Sequence, residues 1–220
     1  MSKLSVTTSE RDETAFRGKR GENGEIPERW ATKALSELSE NLDSKRIPLS
    51  SNERQLRKGP YPYYGAQGII DYIDDFIFEG QHLLIAEDGA NLLTKKEGIA
   101  LIADGKFWVN NHAHVLKNNK QSGLRYLYYA ISNTDVNSYI TGSAQPKLNQ
   151  DNLNKIQISL PVDLAEQRAI AKILSDLDEN IELNHRMNKT LEAIAQTIFK
   201  RWFVDFEFPN EQGKPYKSSG

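Results

Sequence analysis

The stretch LPVDLAEQRAIAKILSDLDENIELNHRMNKTLEAIAQTIFKRWFVDFEF, residues 160–208, decides the architecture of the second part of the chain. Between Pro161 and Pro209 it contains neither glycine nor proline, the two residues least compatible with a helix interior. Asp163 and Glu166 have the D-x-x-E spacing of a capping box, which marks a helix start. The stretch therefore predicts one helix of about 40 residues, roughly 60 Å long.

Nine positions of this helix recur at spacings that alternate between three and four residues, the pattern of a coiled-coil interface. We call this set the seam: Leu174, Leu177, Ile181, Asn184, Asn188, Leu191, Ala195, Ile198 and Trp202. Seven of the nine side chains are apolar, and so long a helix has little of its own small domain to pack against. The seam therefore predicts a second long helix as its partner.

The two asparagines of the seam lie near the middle of the helix. Asparagine at such a position lowers stability but fixes register and orientation. In an antiparallel homodimer, Asn184 and Asn188 would meet about the two-fold axis. The alternative is that the helix folds back onto its own domain and leaves both asparagines in solvent.

The charge of the helix argues against direct contact with nucleic acid. From Asp163 to Asp205 there are six Lys or Arg and eight Asp or Glu side chains, a net charge of −2. Such a helix repels phosphate groups. We expect it to act as a spacer and docking element.

The first 160 residues have a different pattern. Residues 1–24 are polar and predict a flexible arm. The following IPERWATKALSELSENL places Trp30, Leu35, Leu38 and Leu42 at mixed helical spacing. Beyond residue 60, short apolar runs between turn residues predict strands in GIIDYID, DFIFEG, HLLIAEDG, GIALIADG, FWVNNHAHVL and NKIQISLP.

Two further segments complete this part. RYLYYAISN predicts a helix that turns Leu124, Leu127, Tyr128 and Ile131 inward. YPYYGAQGI, residues 61–69, is too irregular for a helix and too rich in glycine for a long strand, so we interpret it as a contact loop. The sequence thus predicts an α+β fold: a compact β-rich domain followed by one long α-helix, which forms an antiparallel coiled coil with a second copy.

Composition restricts the class of protein. The chain has 220 residues, a net charge of −2 and no cysteine, so disulfides and thiolate metal sites are excluded and a reducing compartment is favoured. Its first residues lack the apolar core of a signal peptide, and no apolar run approaches the length of a membrane span. We expect a soluble, cytoplasmic protein without membrane contact.

Catalytic motifs are missing from the sequence. It contains no phosphate-binding glycine loop, nucleophile elbow or H-E-x-x-H. His112 and His114, with His82, could in principle hold zinc, but such histidines more often satisfy local hydrogen bonds. The acidic residues that a nuclease would need are interpreted as solvated turn residues: Asp74, Asp75, Glu87 and Asp88. We predict no catalytic residue and no metal site.

A binding surface is the remaining interpretation. Arg54, Arg57 and Lys58 flank YPYYGAQGI, and they can contact phosphates. VNNHAH and TGSAQPKLNQ supply Asn, Gln, Ser and His side chains, which can read base edges. Residues 104–160 carry six basic and three acidic side chains, and this local excess of positive charge favours contact with phosphates. The alternative is a set of ordinary polar loops.

The long stretch resembles the conserved region of type I restriction–modification specificity subunits. The resemblance lies in L-P-x-x-x-x-E-Q-R-x-I, the leucine-rich helix and F-x-x-W-F-V-D-F. YPYYGAQGIID, LLIAEDGAN, VNNHAHVL and TGSAQPKLNQDNL are similar to the family's target-recognition domain, and GEIPERW to the segment that opens it. Together these segments cover about residues 24 to 217.

The resemblance implies an organisation for the chain. Residues 1–24 would be the arm, 25–161 a DNA-binding recognition domain, 162–206 the helix for dimerisation and docking, and 207–220 a linker-like tail. Family members usually carry two such halves, so this sequence corresponds to one half, either a natural half-subunit or part of a longer chain. As a homodimer it would read one half of a bipartite site with each copy.

The resemblance also implies partners and site residues. These partners are double-stranded DNA, a modification subunit that binds S-adenosylmethionine and methylates adenine, and a restriction subunit that acts as motor and nuclease. The chain itself would bind no cofactor. The expected DNA-binding residues are Arg57, Lys58, Tyr63, Tyr64, Gln67, Asn110, Asn111, His112, His114, Ser143, Gln145 and Lys147. The alternative function is a coiled-coil adaptor with a β-rich protein-binding domain, without DNA binding.

Overall fold

The structure is a computed structural model that describes residues 27–94, 98–142 and 145–218. The chain divides into two compact units after Ala169. The arm expected for residues 1–24 lies outside the described residues.

The first unit carries the strands. Their bounds are Trp30–Ala34 (β1), Ser39–Asn41 (β2), Lys58–Gly65 (β3), Gly68–Ile73 (β4), Phe78–Glu79 (β5), His82–Ala86 (β6), Ala100–Ala103 (β7), Lys106–Val109 (β8), Ala113–Asn118 (β9) and Gln157–Pro161 (β10). The helices are Leu35–Leu38 (α1), Ser51–Leu56 (α2), Asn91–Thr94 (α3), Leu124–Asn133 (α4), Gln150–Lys155 (α5) and Leu164–Phe199 (α6). The predicted β-rich domain followed by one long helix is confirmed.

Within the described residues, the strands of the β-rich unit form three sheets. An antiparallel sheet has the order β2-β9-β6-β7, and a mixed sheet has the order β4-β3-β8-β5, in which only β3 and β8 run parallel. β1 and β10 pair with each other, with Trp30 opposite Pro161. The pairing of β1 with β10 joins the start of the unit to the strand that precedes α6.

Strand β8 shows how the core is divided. Its alternate side chains point to opposite faces, as expected for a strand. Phe107 and Val109 enter one apolar cluster together with Leu84 and Val115 of the antiparallel sheet. Trp108 enters a second cluster on the other face of β8. Both faces of β8 are therefore covered, which explains its run of apolar residues.

The interpretation of YPYYGAQGI as an irregular contact loop is wrong. These residues form most of β3, a two-residue turn and the start of β4. Tyr63 is fully buried beside Trp108, and Tyr64 packs edge-on against Phe107 at 5.6 Å. The tyrosine rings thus meet the protein's own core. Alternating side-chain direction allows this, because Tyr63 and Tyr64 reach different clusters.

Helix α4 packs much as its sequence predicts, with one exchange. Leu124, Leu127 and Ile131 are buried, but the fourth buried side chain is Tyr126 and not Tyr128. The Tyr126 hydroxyl donates a hydrogen bond to the Ser159 carbonyl at 2.8 Å. Burial, with a smaller contribution from the Glu166 carboxylate, raises the pKa of this hydroxyl to about 12.

The predicted start of α6 is confirmed, although its capping differs. Asp163 Oδ1 accepts a hydrogen bond from the Ala165 amide at 2.9 Å. Glu166 instead accepts one from the Trp30 indole nitrogen at 3.2 Å. Gln167 is fully buried.

The amide of Gln167 bonds three backbone groups. Its Oε1 accepts from Gly123 N at 2.9 Å, and its Nε2 donates to the carbonyls of Gln121 and Pro161. Within the L-P-x-x-x-x-E-Q-R motif, Glu166 and Gln167 therefore fasten the first turn of α6 to the β-rich unit.

The second unit consists largely of α6, which continues into a π-helical turn at Lys200–Val204. Every residue from 177 to 206 is exposed. Seam residues Leu177, Ile181 and Leu191 have exposed fractions of 56%, 55% and 62%. The helix is about 54 Å long at 1.5 Å per residue. Its apolar row is thus uncovered in the single chain.

The tail that follows forms a closed turn. Phe208 and Tyr216 stack with ring centroids 4.8 Å apart, and Pro209 and Pro215 form an isolated bridge. Gly213 adopts the left-handed region, which glycine enters at no steric cost. No helix in the described ranges combines the length and apolar character that a bilayer span requires.

Candidate nucleic-acid interface

One edge of the β-rich unit gathers several of the predicted binding segments. Parallel β3 and β8 end there together, since Tyr64 lies opposite Val109. Antiparallel β6 and β9 meet at the same edge, since Ala86 lies opposite Ala113. We use the name rim for the residues next to these strand ends: Gln67, Glu87, Asp88, residues 110–112 and residues 145–147.

Backbone hydrogen bonds make the rim continuous. The Asn110 amide donates to the Tyr64 carbonyl at 3.0 Å, and the Glu87 amide donates to the His112 carbonyl at 2.9 Å. Asp88 and Lys147 form an antiparallel bridge. Segments that lie far apart in the sequence are thus fixed beside one another by main-chain contacts, which do not depend on the exposed side chains.

Five of the predicted DNA-binding side chains are exposed on the rim. They are Gln67, Asn111, His112, Gln145 and Lys147. They offer amides, an imidazole and one ammonium group, the side-chain types that contact base edges and phosphates. Ser143, predicted with them, lies outside the described residues.

Four other predicted contacts face inward, and the structure corrects them. Tyr63 and His114 are fully buried, Asn110 is buried and Tyr64 is half-buried. The Tyr63 hydroxyl accepts a hydrogen bond from the Leu49 amide at 2.9 Å, and Asn110 Oδ1 accepts one from the His112 amide at 2.8 Å. Tyr63, Asn110 and His114 support the rim from below, because their side chains are already bonded within the unit, and the Tyr64 ring packs on Phe107.

Arg57 and Lys58 lie away from the rim. Lys58 begins β3, whose eight residues place it roughly 20 Å from the rim end of that strand. Arg57 pairs with Asp74 at 2.9 Å, and Lys58 pairs with Asp71 at 2.5 Å. The Lys58 hydrogen bond, the Tyr72 amide and Arg54 lower the pKa of the Asp71 carboxyl. The basic charge expected here for phosphate contact is balanced by acidic neighbours.

A buried polar cluster lies directly beneath the rim. His114 is placed between two acceptors: its Nδ1 lies 2.5 Å from Asp43 Oδ2, and its Nε2 donates to the Leu148 carbonyl at 2.7 Å. Arg46 Nη1 donates to Glu87 at 2.7 Å and to the Ala113 carbonyl at 2.8 Å. These contacts join the segment after β2, the end of β6, β9 and the segment after Lys147.

Electrostatics keep this cluster ionised. Burial alone would raise the pKa of Asp43, but the hydrogen bond and charge of His114, the Val115 amide and Arg46 together lower it below its usual value. Burial likewise opposes ionisation of Glu87, yet Arg46, Lys147 and His114 lower its pKa. A buried carboxylate with such partners stays charged at neutral pH.

The contacts of this cluster favour protein cations over a metal ion as partners of its carboxylates. Ligand atoms of Asp43, Glu87 and His114 lie within 4.8 Å of one another. However, Arg46 already bonds these carboxylates, and His114 Nε2 is engaged by a carbonyl. The possible zinc ligand His82 lies at the far end of β6, where its ring contacts the Gly80 carbonyl. The three histidines of the zinc alternative are not brought together.

Sequence reasoning missed the role of two acidic residues. Glu87 and Asp88 were interpreted as solvated turn residues, but Glu87 is buried and the Asp88 side chain is only 17% exposed. Glu87 lies 3.1 Å from Lys147 Nζ, and Asp88 lies 2.7 Å from His112 Nδ1. Both carboxylates directly follow β6, which is wholly buried. This position in the sequence could have indicated that the sheet would also fix their side chains.

Comparison with known proteins agrees with this fold. The model of the type I restriction modification DNA specificity domain matches residues 27–193. A Haemophilus influenzae protein described as a candidate type I restriction enzyme specificity subunit, S.HindORF215P, is 37% identical over 146 residues, which cover 66% of this chain and 36% of the relative. The MjaIX specificity subunit of Methanocaldococcus jannaschii is 29% identical over 218 residues, 91% of this chain and 49% of the relative.

Solved structures show the same fold. The type I restriction–modification S subunit from M. genitalium superposes with a TM-score of 0.65 at 19% identity, over 84% of this chain and 48% of the other. A structure from a study of complex assembly and conformational transition of the type I R-M system gives a TM-score of 0.57 at 16% identity, over 80% and 45%.

The chain spans about half the length, or less, of the proteins it matches. The resemblance found in the sequence motifs is confirmed. Because the family model covers well over half of its 220 residues, the chain belongs to the type I restriction modification DNA specificity domain family.

Proposed function

We propose that the chain is a sequence-specific DNA-recognition subunit of a type I restriction–modification complex and that its rim reads one half of a bipartite site. The chain itself is non-catalytic, in keeping with a family defined by DNA specificity. The observation that carries the proposal is the rim: Gln67, Asn111, His112, Gln145 and Lys147 are exposed at one edge of the β-rich unit.

The side chains of the rim suit a DNA groove. Amides such as Asn111 and Gln145 can bond a base edge through two atoms, whereas Lys147 can contact a phosphate as a point charge. Lys147 balances the charge of the acidic neighbour Glu87, and the Asp88 carboxylate is engaged by the His112 ring. Phosphate contacts set position, and base contacts set sequence preference.

The seam supports the second part of the proposal, an antiparallel homodimer. Its exposed leucines and isoleucines repeat at coiled-coil spacing, and apolar side chains at that spacing are stabilised by a partner helix. Two copies would then read two inverted half-sites. A helix of about 54 Å equals about 16 base pairs, so the half-sites would lie one to two turns apart.

The remaining parts of the complex follow from the family resemblance. The helix would dock a modification subunit, which would bind S-adenosylmethionine and methylate adenine, and a restriction subunit would join for cleavage. This chain would bind no cofactor. The names of the relatives, all specificity subunits of type I restriction enzymes, support this assignment.

Co-expression with the cognate modification subunit tests the proposed function. Genomic DNA from cells with both proteins should carry methylated adenines in a bipartite palindrome, and the modification subunit alone should leave these sites unmodified. Methylation with the same pattern in the absence of this chain would refute the proposal, and so would methyl transfer by the purified chain alone.

A second candidate function has one observation in its favour. Ile70 and Tyr72 are half exposed on β4, an edge strand of the mixed sheet, and such a surface suits a protein partner. A coiled-coil adaptor would then bind protein through this strand. The salt dependence of binding distinguishes the two functions, because DNA affinity that relies on several phosphate contacts falls steeply between about 50 and 200 mM salt.

A further inference from the structure

His112 is an exposed rim residue that is held at both its backbone and its ring. Its amide donates to Asn110 Oδ1 at 2.8 Å, and its carbonyl accepts from the Glu87 amide at 2.9 Å. Its ring lies 2.7 Å from Asp88 Oδ2. Backbone and ring are thus fixed separately, while 48% of the side chain remains exposed.

The contact with Asp88 sets the chemistry of the two ring nitrogens. An ionised carboxylate can only accept a hydrogen bond, so the nitrogen that faces it, Nδ1, must carry a proton. In the neutral ring the other nitrogen, Nε2, is then an acceptor with a free lone pair. No hydrogen bond to Nε2 of His112 occurs within the described part of the chain.

An exposed and pre-oriented acceptor is useful in a DNA groove. In the major groove, an acceptor can be met by the N6 amino group of adenine or the N4 amino group of cytosine. Guanine and thymine offer acceptors at the equivalent positions, which would repel the lone pair. Because the ring is already held, little side-chain entropy is lost when it binds.

We propose that Asp88 is a positioning residue for base recognition: it holds the proton on Nδ1 of His112, so that Nε2 accepts a hydrogen bond from adenine or cytosine. The inference rests on the proposed function and adds the class of base that one position of the half-site contains. Asp88 itself touches no DNA in this scheme and acts through the ring.

Selection of bound duplexes from a library with a randomised half-site tests the proposal. The full chain is used in complex with its modification subunit. Wild type should prefer adenine or cytosine at one position by about tenfold. His112→Phe keeps a ring but removes Nε2, and Asp88→Asn weakens the hold on the ring; both should reduce this preference to less than about threefold and leave the other positions unchanged.

Asp104→Asn is the matched control. Asp104 is an exposed acidic residue at the opposite end of the β6–β7 pair, where it accepts a hydrogen bond from Gln81 at 3.0 Å. This variant should keep the wild-type preference at every position. Equal urea midpoints for the three variants and wild type establish that the fold is intact.

A spectroscopic measurement on the free chain tests the tautomer without DNA. Long-range ¹⁵N–¹H correlation of the histidine rings should show the His112 proton on Nδ1 in wild type. A proton on Nε2, alone or together with one on Nδ1, would overturn the proposal, even if Asp88→Asn cannot be purified.

The outcomes of the selection separate this inference from the proposed function. If wild type selects a sequence but both variants keep the same preference, Asp88 and His112 do not read a base. If both variants lose affinity equally for all sequences, His112 contacts a phosphate and the inference is again overturned. If wild type selects no sequence at all, the proposed function fails.

Discussion

The two units of this chain treat their apolar side chains in opposite ways. The β-rich unit buries most of its large apolar residues, among them those on both faces of β8, and it also buries the charged cluster around Asp43 and Glu87. The helical unit exposes almost all of its apolar residues, including Leu177 and Ile181. The first unit has an apolar core of its own, whereas the second presents an apolar row that is exposed in the described part of the chain.

The two units must therefore gain their folding stability from different contacts. A unit with a closed core is stabilised by its own contacts, so substitutions there should change its free energy of unfolding. An exposed apolar seam adds stability only when another helix covers it. Substitutions in the two units should therefore change different properties, and the expected changes are given in order of decreasing size.

Leu177→Asp should abolish self-association. It places a charge in the seam of each copy, and we expect the homodimer to lose about 5 kcal/mol for the two chains together. Light scattering over a concentration series measures the change. Gln196→Asp adds the same charge at an exposed position off the seam and should leave the dimer intact. A dimer unchanged by Leu177→Asp would mean that the seam is not the interface.

Asp43→Asn should destabilise the β-rich unit by about 3 kcal/mol, because it removes the buried charge that pairs with His114 and that shares Arg46 with Glu87. Urea unfolding followed by tryptophan fluorescence measures this. Glu40→Gln removes an exposed carboxylate three residues away and should change the free energy of unfolding by less than about 0.5 kcal/mol.

The same cluster predicts a pH dependence. The pKa values of Asp43 and Glu87 are lowered in the folded state, so their contribution to stability is present above the usual values of 3.8 and 4.5. It is lost as pH falls through the folded-state pKa values, since the unfolded chain then binds more protons. The urea midpoint should therefore drop below about pH 5, and Asp43→Asn should show a shallower drop.

Gln167→Met should cost about 2 kcal/mol, because the Gly123 amide and two carbonyls lose a buried partner. Its neighbour provides the control: Arg168 is exposed, and Arg168→Met should be nearly neutral in the same urea unfolding experiment. Equal unfolding free energies for the two variants would show that Gln167 does not fasten the helix start.

The smallest effects concern DNA. Lys147→Ala should weaken DNA binding to all sequences by about 1 kcal/mol. It should also reduce the slope of log affinity against log salt concentration by about one. Arg57→Ala should change DNA affinity by less than about twofold, since Arg57 lies off the rim and pairs with Asp74. Fluorescence anisotropy with labelled duplexes measures both. A larger loss for Arg57→Ala than for Lys147→Ala would place the DNA surface elsewhere.

Asn111→Ala and Gln145→Ala sharpen the same comparison. Both side chains are exposed on the rim and uncharged, so their loss should relax sequence preference while the salt dependence stays unchanged.

The sequence predicted long periodic elements well and side-chain direction poorly. The 3–4 spacing of the seam, the apolar runs of β6 and β9 and the apolar face of α4 are local patterns, and each is confirmed as an element of the structure. Tyr63 and His114 were predicted to face DNA, but they are buried. A tyrosine or histidine is compatible with either environment, so the residue type alone did not decide.

The amino-acid sequence was sufficient to predict a β-rich domain, one long helix with an apolar seam and the motifs of the family. The position of Gln67, Asn111, His112 and Lys147 at one edge, and the contact between Asp88 and His112, became visible only in the folded chain. The physical reason is distance along the chain. Helix periodicity is expressed between residues three and four apart, whereas the rim depends on strand pairings between residues that lie tens of positions apart.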